Sequence, residues 1–314
     1  MDTGDFDRAL ARHNLAGFWT ARVPAHAPER PFLWKWAEVR DALLRASREI
    51  GIDAAERRVI KLANPHQPTG AASRTIQFNF SIVNGGETAR AHRHTLGAVR
   101  FVVEGGGAWT NVEGARCDMA PGDLILTPSW SWHDHCNTSK EPVIWLDGLD
   151  GPLVQSLNAA FFGAYPQAAQ PVAHTTSPLR YPFAEALAAL DAAPDDPFDG
   201  RAWRYPDRAT GGDTLPTLGC EISRLAPGRR TGCHRHASAA LYHVVAGSGR
   251  TQAGDEVLEW SRGDTFVLPL WTWHSHEGLG DEPALLFSMN DRPAMKALGL
   301  YREEAENAAE GQGR

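Results

Sequence analysis

Several things are scarce in this sequence. Its 314 residues hold four cysteines, Cys117, Cys136, Cys220 and Cys233, and no CxxC pair. A disulfide framework or zinc ribbon is therefore not indicated, and a reducing, cytoplasmic compartment is expected. Cys136 and Cys233 adjoin candidate ligand histidines, but read as small buried hydrophobes rather than thiolate ligands. No run approaches the ~20 apolar residues of a membrane span. The opening MDTGDFDRALARHN lacks the apolar stretch of a secretory signal. A basic excess is also absent. The net charge of -7 gives no support for binding nucleic acid or a membrane surface. An anionic small substrate would need a local arginine or a metal to hold it.

What is present is an ordinary globular composition, 42% hydrophobic and 22% charged, in a chain long enough for about two domains. Residues 1–60 read as a lead-in. FWTARVPAHAPERPFLWKW suggests an extended arm, and WAEVRDALLRASREIG a helix with Trp36, Val39, Leu43 and Leu44 apolar and Gly51 as its stop. Such a segment covers a barrel or a neighbouring subunit. Over residues 61–150, ERRVIKLANP is followed by TIQFNFSIV, AVRFVVEG, GAWTNVEG, DLILTP and PVIWLDGLD, β-branched and aromatic runs separated by Gly, Pro, Asn and Asp. This predicts an all-β sandwich or small barrel. Residues 151–205 read as a linker with one short helix, PFAEALAALDAAP, and strands return over 206–290. Residues 291–314 read as a short helix and a frayed, charged tail.

The chemistry centres on histidines. His92 and His94 end a strand-like run, and alternation places both on one face. His133 follows a Gly122-x5-Pro128 turn-strand-turn segment, so antiparallel folding can return it to the first two. Three neutral nitrogens on one side of a divalent metal leave positions open for substrate and oxygen. The alternative is surface or satisfied core histidine. The spacing recurs: Gly86-x5-His92-x-His94 is matched by Gly228-x5-His234-x-His236, and Gly122-x5-Pro128-x4-His133 by Gly263-x5-Pro269-x4-His274. The two offsets nearly agree (234 − 92 = 142 and 274 − 133 = 141), as expected of two copies of one barrel unit. His234, His236 and His274 could hold a second metal. Around them, Tyr242 stands where Arg100 stands in the first copy, Gly278 where Asn137 stands and Leu286 where Trp145 stands. The second unit is therefore expected to serve dimer and barrel packing rather than the main chemistry.

These spacings are those of cupin motifs, and the chain resembles a bicupin. HRHTLGAVRFVVEGGGAWT, PGDLILTPSWSWHDHCN and VIWLDGLD, with TLPTLGCEISRL and GDTFVLPLWTWHSHE in the second half, resemble the gentisate 1,2-dioxygenase family. That family includes salicylate-type and 1-hydroxy-2-naphthoate dioxygenases. The resemblance implies two tandem double-stranded β-helix barrels, an Fe(II) centre, a homotetramer and dioxygen-dependent cleavage of a hydroxybenzoate ring.

Many cupins add a glutamate four or five residues after the second histidine, but Ala98 and Val99 stand there. A three-histidine site leaves the metal its full charge, which suits a substrate chelating through carboxylate and phenolate. Arg100, six residues after His94, is expected to face the same interior. By resemblance it clamps the substrate carboxylate; the alternative is an internal ion pair with Glu104. His135 could orient substrate or oxygen or relay a proton, or sit on a surface turn. Trp145 lines the pocket by resemblance, or is core. Asn137 reads as a turn residue, and Asp147 and Asp150 as structural acceptors. Arg58 is a candidate second anion contact, with Arg57 its equal. Gln77 and Ser81 should face the pocket. They stand where gentisate enzymes commonly carry Tyr and Gln, so the ring 5-substituent stays open: the hydroxyl of gentisate, another group such as the nitro of 5-nitrosalicylate or a halogen, or none. A zinc or manganese isomerase or hydrolase, and a non-catalytic binding bicupin, are the competing readings.

Overall fold

The computed structural model describes residues 4–15, 29–52, 57–67 and 69–306. Most of the expected N-terminal arm, 16–28, and the end of the tail, 307–314, lie outside the described residues. Among the described residues no helix is long and apolar enough to cross a membrane.

The expected all-β architecture is present as two antiparallel barrels of similar plan. The first pairs a six-stranded sheet with a five-stranded one. The six strands run Arg180–Tyr181, Leu124–Thr127, Ala98–Glu104, Val143–Leu149, Gln77–Val83, Arg58–Lys61 in spatial order. The five run Phe162–Ala164, Thr88–His94, His133–Asn137, Ala108–Val112, Ala115–Met119. The second barrel repeats this with His234–His236 beside His274–Leu279 in its smaller sheet.

Alternation decides where each side chain of the larger sheets goes. Phe78, Phe80, Ile82, Phe101, Ile144 and Leu146 point away from the first barrel's interior and join Leu241, Phe287 and Met289 of the second in one core. Phe101 stacks on Phe287 with ring centroids 4.2 Å apart. Each such ring contributes on the order of 2–3 kcal/mol by leaving water, so the barrels are welded back to back. The intervening residues, Asn79, Ser81, Arg100, Trp145 and Asp147, are left facing inward. Both faces are covered, but the inward one is largely polar, so Gln77–Val83 alternates polar and apolar residues. Gly148 sits at a close approach of the two barrels: a Cβ there would lie 1.9 Å from the Met289 sulfur.

Segments outside the repeats add edge strands. Phe32–Trp34 pairs with Thr265–Leu268 of the second barrel. The helix Trp36–Glu49 then crosses to pack on Arg58–Lys61 and Gln77–Val83 of the first. Asp264 Oδ1 accepts from the Trp36 amide at 2.9 Å, satisfying one open donor of that helix. The segment between the barrels holds the expected helix, Phe183–Ala192, but is more than a linker. It adds Phe162–Ala164 and Arg180–Tyr181 to the first barrel and Gly200–Arg204 to the second. The tail also departs from expectation. After the helix Arg292–Ala297, residues Glu303–Ala305 do not fray but pair with His234–His236.

Candidate metal centre

His92 and His94 lie at the end of the strand Thr88–His94, and an irregularity between Ala89 and His92 brings His92 opposite His133 on the neighbouring strand. The ring centroids are 4.4 Å apart for His92 and His133, 4.9 Å for His94 and His133, and 5.6 Å for His92 and His94. One ligand atom from each ring lies within 4.8 Å of the others. Each Nδ1 meets a backbone carbonyl: Arg90 at 2.9 Å for His92, Leu96 at 2.8 Å for His94 and Ser131 at 3.0 Å for His133. A carbonyl can only accept, so each ring carries its proton on Nδ1 and offers Nε2 as a lone pair. The Nε2 of His133 is buried with no hydrogen-bond partner, a cost that a bound cation removes. Burial lowers the pKa of His92 and His94 to about 4 and that of His133 well below the ordinary value. At neutral pH the three are neutral donors. The set fits a divalent metal with open coordination positions.

The loop that delivers His133 is held by a clasp the sequence reading missed. Arg93, between the two histidines, lies 4.3 Å from the ring centroids of both Trp130 and Trp132. Trp130 adopts φ 65, unusual for a bulky residue, and its amide donates to the His94 carbonyl at 2.8 Å. Ser131, whose carbonyl fixes His133, sits between these tryptophans. The second barrel repeats the clasp with Arg235, Trp271 and Trp273. The signal was legible in principle, since H-R-H and W-x-W recur together.

Arg100 faces the interior, though not by the expected count. The strand breaks between His94 and Ala98, and Arg100 belongs to the other sheet. It points inward because its neighbours Val99 and Phe101 point into the inter-barrel core. Its expected alternative partner is wrong: Glu104 pairs with Arg40 at 2.9 Å. Arg100 instead meets Asp147, Nε to Oδ1 3.3 Å, and donates through Nη1 to Thr127. Nε, facing Asp147, has no hydrogen-bond partner of good geometry. Asp147 also accepts from Ser81 at 2.7 Å and from the Trp145 indole at 2.8 Å. Burial lowers the Arg100 pKa to about 10, so it stays charged at neutral pH. Asp147, read from sequence as structural only, is thus the counter-charge that holds Arg100 in place. A lone carboxylate in VIWLDGL opposite a lone arginine in AVRFVVE was the available signal.

His135 lies on the strand His133–Asn137, not on a surface turn, and is 1% exposed. Its Nδ1 is 2.9 Å from the Thr110 hydroxyl, which can itself donate to the Met119 sulfur at 3.8 Å. With Thr110 accepting from Nδ1, the buried, unpartnered Nε2 is the free lone pair. Burial, then the Arg100 charge, holds His135 well below the ordinary histidine pKa. Trp145, fully buried, tilts against His135 with centroids 5.1 Å apart.

Arg58 and Arg57 separate cleanly. Arg58 donates to the Ile50 carbonyl at 2.7 Å and pairs with Glu87, away from the histidines. Arg57, one residue earlier and so on the opposite side, has a buried Nε without a partner and lowers the pKa of His92, His94 and His135 by its charge. Ser81 is fully buried against Asp147. Gln77 is half-buried and donates to Asn79 at 3.3 Å. Asn137 ends its strand and braces the turn that follows: its Nδ2 donates to the carbonyls of Val83 and Glu141 at 3.0 and 2.8 Å, and its Oδ1 accepts from the Ser139 amide at 3.0 Å. Asp150 accepts from the Gly97 amide and the Thr217 hydroxyl. His234, His236 and His274 also converge as a triad.

A cupin-domain family model matches residues 79–148 and again 221–290. The chain is 38% identical to a 5-aminosalicylate 1,2-dioxygenase of Comamonas sp., over 94% of this chain and 88% of that protein. It is 39% identical to a 1-hydroxy-2-naphthoate 1,2-dioxygenase of Nocardioides sp. (strain KP7), over 96% and 87%. The solved structure of a salicylate 1,2-dioxygenase from Pseudoaminobacter salicylatoxidans in adduct with gentisate is similar with a TM-score of 0.87 at 29% identity, covering 99% of this chain and 96% of that one. With the doubled barrel and the histidine geometry above, this likeness over nearly the whole length shows that the chain belongs to the bicupin family of gentisate- and salicylate-type ring-cleaving 1,2-dioxygenases.

Proposed function

We propose that the first barrel, residues 61–150, cleaves a 2-hydroxybenzoate with dioxygen between the carboxyl- and hydroxyl-bearing ring carbons, using Fe(II) held by His92, His94 and His133. The observation that carries this reading is the convergence of three imidazole ligand atoms near a fully buried, charged arginine. Bound there, ferrous iron supplies Lewis-acid polarisation of a chelating phenol and the electrons that dioxygen chemistry needs. The chain's own groups do the rest. The Arg100 guanidinium donates to the substrate carboxylate, with Asp147 and Thr127 holding its plane. His135 Nε2 takes the phenolic proton, its tautomer set by Thr110. Arg57 supplies the second positive charge at the entrance, and Trp145 forms an apolar wall. Ser81 is engaged by Asp147, which leaves Gln77 as the polar side chain to meet a 5-substituent. The reading includes a homotetrameric, cytoplasmic enzyme.

The relatives' names span amino, hydroxyl and naphthoate substrates, and the polarity of Gln77 favours a small 5-substituent that can hydrogen-bond. The test is an oxygen-electrode panel of gentisate, 5-aminosalicylate, salicylate, 5-nitrosalicylate and 1-hydroxy-2-naphthoate, using protein loaded anaerobically with Fe(II). Oxygen uptake with a 5-hydroxy or 5-amino compound, lost in His92→Ala, is expected. Bound zinc or manganese with no uptake on any member would overturn the proposal, as would uptake independent of iron.

A further inference from the structure

We infer that the second barrel holds a divalent cation of its own, bound by His234, His236 and His274 and capped by the carboxylate of Glu303, and that this site does not cleave substrate. The geometry of the first triad is reproduced closely. Ring centroids are 4.2 Å apart for His234 and His274, 5.1 Å for His236 and His274 and 5.6 Å for His234 and His236. The corresponding distances in the first barrel are 4.4, 4.9 and 5.6 Å. The Nδ1 atoms of His236 and His274 again meet backbone carbonyls, those of Ser238 at 2.9 Å and Thr272 at 2.8 Å. Their Nε2 lone pairs are thereby turned inward, and His274 Nε2 is buried without a partner. His234 is positioned differently, by its ring against Phe198 at 4.9 Å.

The two sites differ in what covers them. In the first barrel the edge strand Phe162–Ala164 places Phe162 opposite His94. In the second the tail strand places Glu303 opposite His236. Residues directly opposed on antiparallel strands project to the same side, so a carboxylate stands where the first barrel has a phenyl ring. Tyr301 donates to Glu303 Oε2 at 2.7 Å, and both line one cavity with His234 and His236. That cavity is also lined by Asp199, Arg292 and the pair Arg204 and Glu221, 3.0 Å apart, and Tyr242 replaces the carboxylate clamp. Three imidazoles with one carboxylate suit a first-row divalent ion. With no arginine at the clamp position and Glu303 taking a coordination place, the cation stays but a chelating benzoate is not held. Glu303 swings in by side-chain rotation, which ties the tail strand to the barrel.

The full-length protein and its variants are incubated anaerobically with excess Fe(II) or Mn(II), desalted and assayed for metal per chain. The expected results are two ions in the wild type, one in His274→Ala with ring cleavage kept, and one in His133→Ala with ring cleavage lost. Glu303→Gln, a change on an exposed edge strand that leaves the barrel packing alone, should release the second ion to a chelator at least tenfold more readily. One ion in the wild type, absent from His133→Ala, would overturn the second site, whatever substrate the first barrel takes. Unchanged chelator competition in Glu303→Gln would overturn the capping carboxylate.

Discussion

Arg100 and Asp147 lie directly opposite one another on neighbouring antiparallel strands, Nε 3.3 Å from Oδ1, both almost wholly buried. Removing one member of a buried ion pair costs about 3–5 kcal/mol, because the other charge is left unpaired. Arg100→Met should therefore lower the urea midpoint sharply and abolish substrate binding while metal content stays. Adding Asp147→Asn keeps an acceptor for Ser81 and Trp145 but removes the stranded charge. The double variant should recover most of the stability and none of the affinity. Substrate titration decides the matter, and normal affinity in the stable double variant would remove Arg100 from its assigned role.

Thr110 fixes the His135 tautomer by one hydrogen bond at 2.9 Å. Thr110→Val keeps the shape and loses that bond, worth about 1 kcal/mol or somewhat more. The kcat should fall about fivefold to tenfold with KM and iron content little changed. An unaltered kcat would show that the orientation of His135 does not matter to the reaction.

Arg93 lies between Trp130 and Trp132 and steadies the loop carrying the Ser131 carbonyl to His133. Groups that orient a metal ligand typically matter by about tenfold to a hundredfold in affinity. Arg93→Ala should weaken metal binding by about tenfold, measured by chelator competition, with the fold intact by circular dichroism. Arg93→Lys should restore only part of it, since an ammonium cannot stack flat on two indoles.

Metal-free protein should lose stability as the pH falls. His92 and His94 have folded pKa values of about 4, below the unfolded value near 6.5. Between these limits the unfolded chain binds more protons, so stability is full above about 6.5 and declines toward 4. His133, His135, His234, His236, His243, His274 and His276 are shifted in the same direction. Asp134, Asp150, Asp199 and Asp291 are raised and oppose the trend, but fewer groups act that way. Urea melts at stepped pH measure the slope, and a midpoint flat from pH 7 to 4 would contradict it.

Gly148 carries no side chain where the Met289 sulfur approaches. Gly148→Ala should destabilise by about 1–3 kcal/mol through overpacking. Met289→Ala in the same chain should remove that specific penalty. Additive losses in the double variant would place the effect elsewhere.

Much of the site was legible because metal chemistry imposes local spacing. His92, His94 and His133 needed only strand alternation and one antiparallel return, and the repeat located His234, His236 and His274 in the same way. Roles that depend on partners across strands were harder to see. The count from His94 to Arg100 reached the right orientation through a strand that is not continuous. Arg57 and Arg58 were equivalent in sequence, and only the side of the strand distinguishes them. The pairing of Glu303–Ala305 with His234–His236 joins residues nearly seventy apart by a segment that reads as a charged tail.

By itself, the sequence determined the repeated β-barrel and the donor atoms offered to a metal, because alternation and turn chemistry act over a few residues. The ring tautomers, the choice of Asp147 as counter-charge to Arg100, the burial of His135 and the carboxylate over the second triad were decided by tertiary structure. Each depends on which distant strand lies alongside, and burial turns that proximity into a shifted pKa or an unpaired lone pair.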